Sequence, residues 1–179
     1  MPKKIMTPSG QPSYAVLLID MQDGFVLDLF PEEKKRLVTK QKRILRECAR
    51  LDIPIIVTEY FSFGETIEEL RLEIAKVPRH WVVLKMKFNT GFYRTGLTHI
   101  LKELGVDTLV LTGINASHCV ADTAESAIKK GYRIVTGENL IADCSRLEDQ
   151  NMGKSRAWFS SIGTFYKRGI SLKKIIAPC

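Results

Sequence analysis

The chain reads as an α/β protein: a doubly wound, three-layer α/β/α fold around a six-stranded, mostly parallel sheet. Three observations carry that expectation. Short uninterrupted apolar runs such as Tyr14–Ile19 and Thr108–Leu111 have the pattern of strands buried on both faces. Amphipathic helical stretches separate them, most clearly Pro31–Leu51. The two kinds of segment alternate through most of the chain, as a parallel sheet with crossover helices requires.

Residues 1–13, with Pro2, Pro8, Gly10 and Pro12, are expected as an extended N-terminal arm, and a single domain fills 14–179. The first strand, Tyr14–Ile19, stops at Asp20. A carboxylate directly after a central strand stands at the carboxyl edge of the sheet, where open α/β folds bind ligands. It serves equally well as a turn or N-cap residue. Pro31–Leu51 forms a helix with Leu37, Ile44, Leu45 and Cys48 near one face. The second strand is Ile53–Thr58, with Pro54 suited only to a strand start, and the loop Glu59–Gly64 follows. Thr66–Lys76 reads as a short helix that ends before Pro78.

The third strand, Trp81–Leu84, is ended by Lys85 and leads into the loop Met86–Phe92. A helix opening at Arg94 or Thr95 carries Leu97, Ile100, Leu101 and Leu104 and stops at Gly105. The fourth strand leads through Thr112-Gly113-Ile114-Asn115-Ala116-Ser117-His118-Cys119-Val120 into a helix over 120–130, ended by Gly131. Tyr132–Thr136 is the fifth strand and Asn139–Asp143 a loop. A helix spans about 147–160, with Gly153 a weak point, and Thr164–Tyr166 is a short sixth strand. The segment Ile170–Ile176 has no clear assignment.

With 179 residues, 45% of them hydrophobic, the chain can build one well-formed core. No apolar run approaches the roughly 18 residues of a membrane span, and no apolar segment follows the basic start as a secretory signal would require. Cys48, Cys119, Cys144 and Cys179 are scattered, which fits a reduced cytoplasmic setting better than a disulfide scaffold. The formal charge of +7 raises nucleic acid as a partner. The positive residues lie mostly along amphipathic helices, however, and no strand alternates basic and aromatic residues. Neither nucleic acid nor membrane is therefore expected. Neither a G-x-G-x-x-G nor a G-x-x-x-x-G-K-[ST] motif is present, so no dinucleotide or P-loop nucleotide is implied.

Three reactive side chains fall at strand ends: Asp20, Lys85 and Cys119. Cys119 lies at or near the first turn of a helix, where free N–H groups and the dipole can lower a thiol pKa toward the thiolate. The same N–H groups can hold an oxyanion. The plain alternative is a small buried hydrophobe packed against the sheet. In a sheet of order 3-2-1-4-5-6, strands one and four are neighbours at the switch point. Asp20 and Cys119 then converge, and Lys85 reaches them from two strands away. A nucleophilic cysteine needs a base and an orienting charge. Asp20 can take the thiol proton, and Lys85 can hold the carboxylate and favour the thiolate.

These residues resemble the cysteine hydrolases of the isochorismatase-like superfamily, which includes nicotinamidases and N-carbamoylsarcosine amidohydrolases. The resemblance rests on Leu18-Ile19-Asp20-Met21-Gln22, on Lys85 with Phe88-Asn89-Thr90-Gly91-Phe92 and Thr95-Gly96-Leu97, and on Thr112-Gly113 through Cys119-Val120. Thr123-Ala124, Ala127 and Gly131-Tyr132 extend it. It implies Asp20 as general base, Lys85 as orienting and charge-stabilising group and Cys119 as nucleophile. It further implies a cis peptide at Ile114–Asn115 and an oxyanion hole from the N–H groups of Asn115 and Cys119. The implied reaction cleaves an amide-type C–N bond of a small molecule through a thioester, without a cofactor, in a homo-oligomer, a dimer or tetramer.

The chain departs from that family in two ways. Thr90 looks inserted, which makes Lys87 a rival to Lys85; Lys85 is preferred because it directly ends the apolar run. Nicotinamidases carry an Asp-x-His and further metal-binding histidines after strand two, whereas this chain has Thr58-Glu59-Tyr60-Phe61-Ser62-Phe63. No metal is therefore expected, and nicotinamide is disfavoured as substrate. His118 is taken as a pocket or surface residue. Gln22, Phe25, Phe61, Phe88 and Tyr93 are expected as pocket walls, with core or subunit contacts the equal alternative for the aromatics. Two other readings of the same fold remain: vinyl-ether hydrolysis of the isochorismatase type, which needs no cysteine, and a non-enzymatic binding member.

Overall fold

The computed structural model describes residues 13–144, 156–167 and 172–173. Strands β1 Tyr14–Ile19, β2 Ile55–Tyr60, β3 His80–Lys85, β4 Thr108–Gly113, β5 Arg133–Gly137 and β6 Thr164–Tyr166 form one sheet of order β3-β2-β1-β4-β5-β6. Every neighbouring pair is parallel. The connecting helices are α1 Asp23–Val26, α2 Pro31–Leu51, α3 Glu68–Ile74, α4 Leu97–Glu103, α5 Ala121–Lys129 and α6 over 156–162. Successive strand residues face opposite sides. All of Ala15–Ile19 are nonetheless fully buried, so helices cover both faces of the sheet centre. This is the doubly wound architecture that the sequence pattern predicts.

α2 shows how local chemistry sets an element. Pro31 occupies the first helical turn, where its missing N–H costs nothing. Glu32 and Glu33 in that turn complement the dipole. The helix ends at Asp52, whose left-handed backbone (φ 52°) returns its N–H to the Cys48 carbonyl. Leu37, Gln41, Ile44, Leu45 and Cys48 form the buried stripe. Gln41 interrupts it, and its amide donates to Thr112 Oγ1 at 3.1 Å, tying α2 to β4. Arg36 reaches the Glu138 carbonyl and the Asn139 side chain after β5. Arg46 pairs with Glu73 at 2.5 Å and fixes α3 on α2.

β1, α2 and β6 have the expected bounds, and the differences elsewhere have physical causes. β2 begins at Ile55 because Pro54 has no N–H to give the ladder; its carbonyl accepts from Val16 at 2.9 Å. β2 and β3 run on to Tyr60 and Lys85 because those two residues pair with each other. The helix expected over 120–130 is preceded by a wide turn of π type, Ala116–Val120, with α5 starting only at Ala121. α1 has no apolar periodicity and was not expected. The arm (1–12), most of the helix expected over 147–160 and most of 170–176 lie outside the described residues.

Ile19 and Gly113 are paired in register, and the Ile114 N–H donates to the Ile19 carbonyl at 3.1 Å. The chain after β1 and the chain after β4 therefore leave the sheet side by side. Gly113 has φ +137°, and a Cβ there would lie 2.0 Å from the Ile19 carbonyl oxygen, so only glycine allows this approach.

Burial pushes the Cys48 thiol up to about 12, with the Glu47 charge adding to the effect. The folded state thus holds this proton where the unfolded chain releases it near pH 8.5. Stability is full below that pH and falls as pH rises toward 12, at about 1.4 kcal/mol per pH unit for each such thiol. Urea titrations between pH 8 and 11 are expected to show a shallower alkaline loss in Cys48→Ala than in the wild type.

Candidate active site

Asp20, Lys85 and Cys119 meet at the carboxyl edge of the sheet, 1%, 1% and 5% exposed. Asp20 follows β1 with φ 52°, a conformation aspartate tolerates better than most residues. Its N–H donates to the Thr58 carbonyl at 3.0 Å, and its carboxylate accepts from Thr58 Oγ1 at 3.3 Å. Lys85, the last residue of β3, extends across β2 to donate to the Asp20 carboxylate. Its ammonium also donates to the Asn89 carbonyl at 2.8 Å and lies 5.2 Å from the centre of the Tyr60 ring. The Cys119 thiol lies beside this pair, close enough for the charges of Asp20 and Lys85 to act on it.

The turn that carries Cys119 is closed by Val120 N–H donating to the Asn115 carbonyl at 3.0 Å, five residues back. The segment after β5 bolts it down. Ala116 N–H donates to Ala142 O at 2.9 Å, and both the N–H and the hydroxyl of Ser117 donate to Asp143 Oδ1, at 2.9 and 2.8 Å. Cys144 N–H donates to the Asn115 side chain at 2.9 Å. The Ile114–Asn115 peptide is cis.

Burial pushes the Asp20 carboxyl above its ordinary range, against the Lys85 charge and hydrogen bonds from Lys85, Cys119 and Thr58. Burial also pushes the Cys119 thiol up to about 12; the Asp20 charge adds to this and Lys85 opposes it. The expectation of a thiolate favoured by a helix start is corrected here. Desolvation of the buried sulfur and the Asp20 charge outweigh the lysine and favour the protonated thiol. Its neighbour is a carboxylate whose affinity for protons burial has raised.

Lys85 and Lys87 are separated decisively by position. Lys87 is exposed, with its ammonium 5.6 Å from the Phe88 ring centre, away from Asp20. The extra residue Thr90 is anchored outward, its hydroxyl donating to Ser126 on α5 at 2.9 Å. Gln22 does not line an opening. It is fully buried, with its amide donating to the Tyr60 and Gly64 carbonyls and accepting from Tyr60 N–H at 2.6 Å. Saturated by backbone, it fixes the loop after β2 and is removed from the pocket wall.

Phe25 is half-buried and stacked on Phe63, their centres 4.1 Å apart. Phe61, Phe88 and Tyr93 are exposed, on loops after β2 and β3 at the same sheet edge, and Phe88 meets Tyr93 edge-to-face at 4.3 Å. Thr58 and Tyr60 were not singled out from sequence. Thr58 was legible in principle, as the one hydroxyl ending an otherwise apolar strand.

The three histidines stay apart. His80 Nδ1 faces the Val77 carbonyl at 2.6 Å, His99 lies 3.2 Å from Glu103, and His118 is exposed against the Ser117 hydroxyl at 2.9 Å. Among the described residues no three His, Cys, Asp or Glu side chains group as metal ligands. No helix among them is long and apolar enough to cross a membrane.

Comparison with known proteins agrees with this fold. Residues 14–161 match the family model described as the Isochorismatase domain, and the chain belongs to that family. Streptothricin hydrolase of Streptomyces noursei is 28% identical over 130 residues, covering 68% of this chain and 46% of that protein. The chain thus spans about half the length of that relative. Among solved structures, the N-carbamoylsarcosine amidase of Thermoplasma acidophilum superposes with a TM-score of 0.73 at 23% identity, covering 87% of this chain and 96% of that one. The nicotinamidase of Staphylococcus aureus gives 0.77 at 18%, covering 89% and 100%. At these identities the superpositions speak to the fold.

Removing Lys85 leaves the Asp20 carboxylate buried without its cation, a change that typically costs about 3–5 kcal/mol. Lys85→Ala is expected to lower the urea midpoint at pH 7 accordingly. Lys87→Ala, at an exposed position, is expected within about 0.5 kcal/mol of wild type.

Proposed function

We propose that this protein is a cysteine-dependent hydrolase of an amide-type C–N bond in a small molecule. The observation that carries the reading is one buried cluster at the switch point of the sheet, in which the Lys85 ammonium donates to the Asp20 carboxylate and the Cys119 thiol lies beside them. Asp20 takes the Cys119 proton as the sulfur attacks the carbonyl carbon. The developing oxyanion is held by the N–H groups of Asn115 and Cys119. The tetrahedral intermediate collapses to a thioester, and Asp20 returns the proton to the departing amine. Water, deprotonated by Asp20, then releases the acid and regenerates the thiol. Lys85 keeps the carboxylate aimed and limits the charge that builds as the proton moves.

The name of one relative supports a C–N substrate: the chain is 34% identical over 62 residues, 35% of its length, to the maleamate amidohydrolase of Pseudomonas putida. Phe61, Phe88 and Tyr93, exposed on loops at this sheet edge, with Phe25 half-buried nearby, would receive the substrate, and the exposure of the first three also suits contact with a second subunit of a homo-oligomer. The test is ammonia release from a panel of small amides, with intact-mass detection of the acyl adduct. Cys119→Ala is expected to lose nearly all turnover and all adduct. Full turnover by that variant, or a product formed without cleavage of a C–N bond, would contradict the proposal.

A further inference from the structure

The loop Met86–Phe92 and the start of α5 are joined by more than packing. Thr123 lies four residues after Cys119, one turn further along. It is fully buried, and its hydroxyl accepts the Gly91 N–H at 3.0 Å. On either side of that bond, the Asn89 amide donates to Asp122 at 3.0 Å and the Thr90 hydroxyl to Ser126 at 2.9 Å. Asn89 also supplies the carbonyl that holds the Lys85 ammonium at 2.8 Å. The backbone at Gly91 runs close to β2, where an added Cβ would lie 3.0 Å from the Thr58 methyl. Thr58 itself donates to Asp20.

These contacts close a ring: Cys119, one helical turn to Thr123, Gly91, Asn89, Lys85, Asp20 and back to Cys119. Building on the reaction proposed above, we infer that Thr123 is a positioning residue: through the Gly91–Asn89 backbone it sets where the Lys85 ammonium stands relative to Asp20 and Cys119. The helix that carries the nucleophile thereby also places the cation. A shift of the loop would move Lys85 off the carboxylate even though neither residue had changed. Thr123 touches no reacting atom, and its effect passes wholly through Lys85.

The test reads the charge on Asp20, which a merely structural role would not move. Cys119 alkylation by iodoacetamide is followed from pH 4 to 9 in wild type, Lys85→Ala, Thr123→Val and Thr123→Ser. In wild type the rate falls on the acid side as Asp20 takes a proton. Lys85 favours the carboxylate, so moving it away shifts that acid limb to higher pH. Thr123→Val is expected to shift it upward by about one unit, tenfold in rate on the limb, in the direction of Lys85→Ala. Thr123→Ser, which keeps the hydroxyl, is expected to restore it.

A folded Thr123→Val with the wild-type limb overturns this inference alone. A wild type with no acid limb overturns the base role of Asp20 and this inference with it. Should Thr123→Val not fold, Asp122→Ala at the exposed Asn89 anchor carries the test. An upward shift, expected to be smaller at about twofold in rate, supports the inference, and an unmoved limb overturns it.

Discussion

The buried pair of Lys85 and Asp20 is the constraint on which the rest of the site depends. Two charges taken out of water are expensive, and their attraction offsets that cost only when the remaining hydrogen-bonding capacity is met. Here it is met from every side. Thr58 donates to the carboxylate, the Asn89 carbonyl accepts from the ammonium, the Tyr60 ring lies by it, and the Cys119 thiol stands beside the pair. These groups come from β2, the turn after β4 and the loop after β3. No two of these elements could be moved independently without leaving a buried polar group unpaired, so the pair fixes the geometry of three connections at once.

The thiol inherits its properties from that arrangement. A sulfur beside a lysine and several N–H groups could have rested as an anion, as in many reactive cysteines. Burial and the neighbouring carboxylate act the other way and favour the protonated thiol. This suits a reaction in which the same carboxylate must later protonate a leaving amine. Gly113 makes the juxtaposition possible, since any side chain there would run into the Ile19 carbonyl and force the ends of β1 and β4 apart.

Much of this was legible in the sequence. The parallel, doubly wound sheet follows from apolar runs alternating with amphipathic helices, and Asp20, Lys85 and Cys119 stand out because each lies at or just beyond the end of such a run. What was not legible depends on tertiary pairing. Gln22 looks like a ligand-facing polar residue after a strand, yet its amide is consumed by the backbone of Tyr60 and Gly64, forty residues away in the chain. The wide turn before α5 carries no periodicity that separates it from a helix. The resting state of Cys119 turns on desolvation, a property of its neighbours in space. Lys87 stood as a rival to Lys85 within the usual uncertainty of a strand end, and burial puts Lys85, not Lys87, against Asp20.

The central claim is that Asp20 accepts the proton of Cys119 directly. The most direct measurement is the pH dependence of Cys119 alkylation in the wild type beside Asp20→Asn. A thiol that shares its proton with a carboxylate should react over a broad neutral plateau, with an acid limb set by Asp20 above its ordinary range. Asp20→Asn should lose both features and follow one simple thiol titration. Identical profiles in the two proteins, each rising only with alkali, would contradict the account.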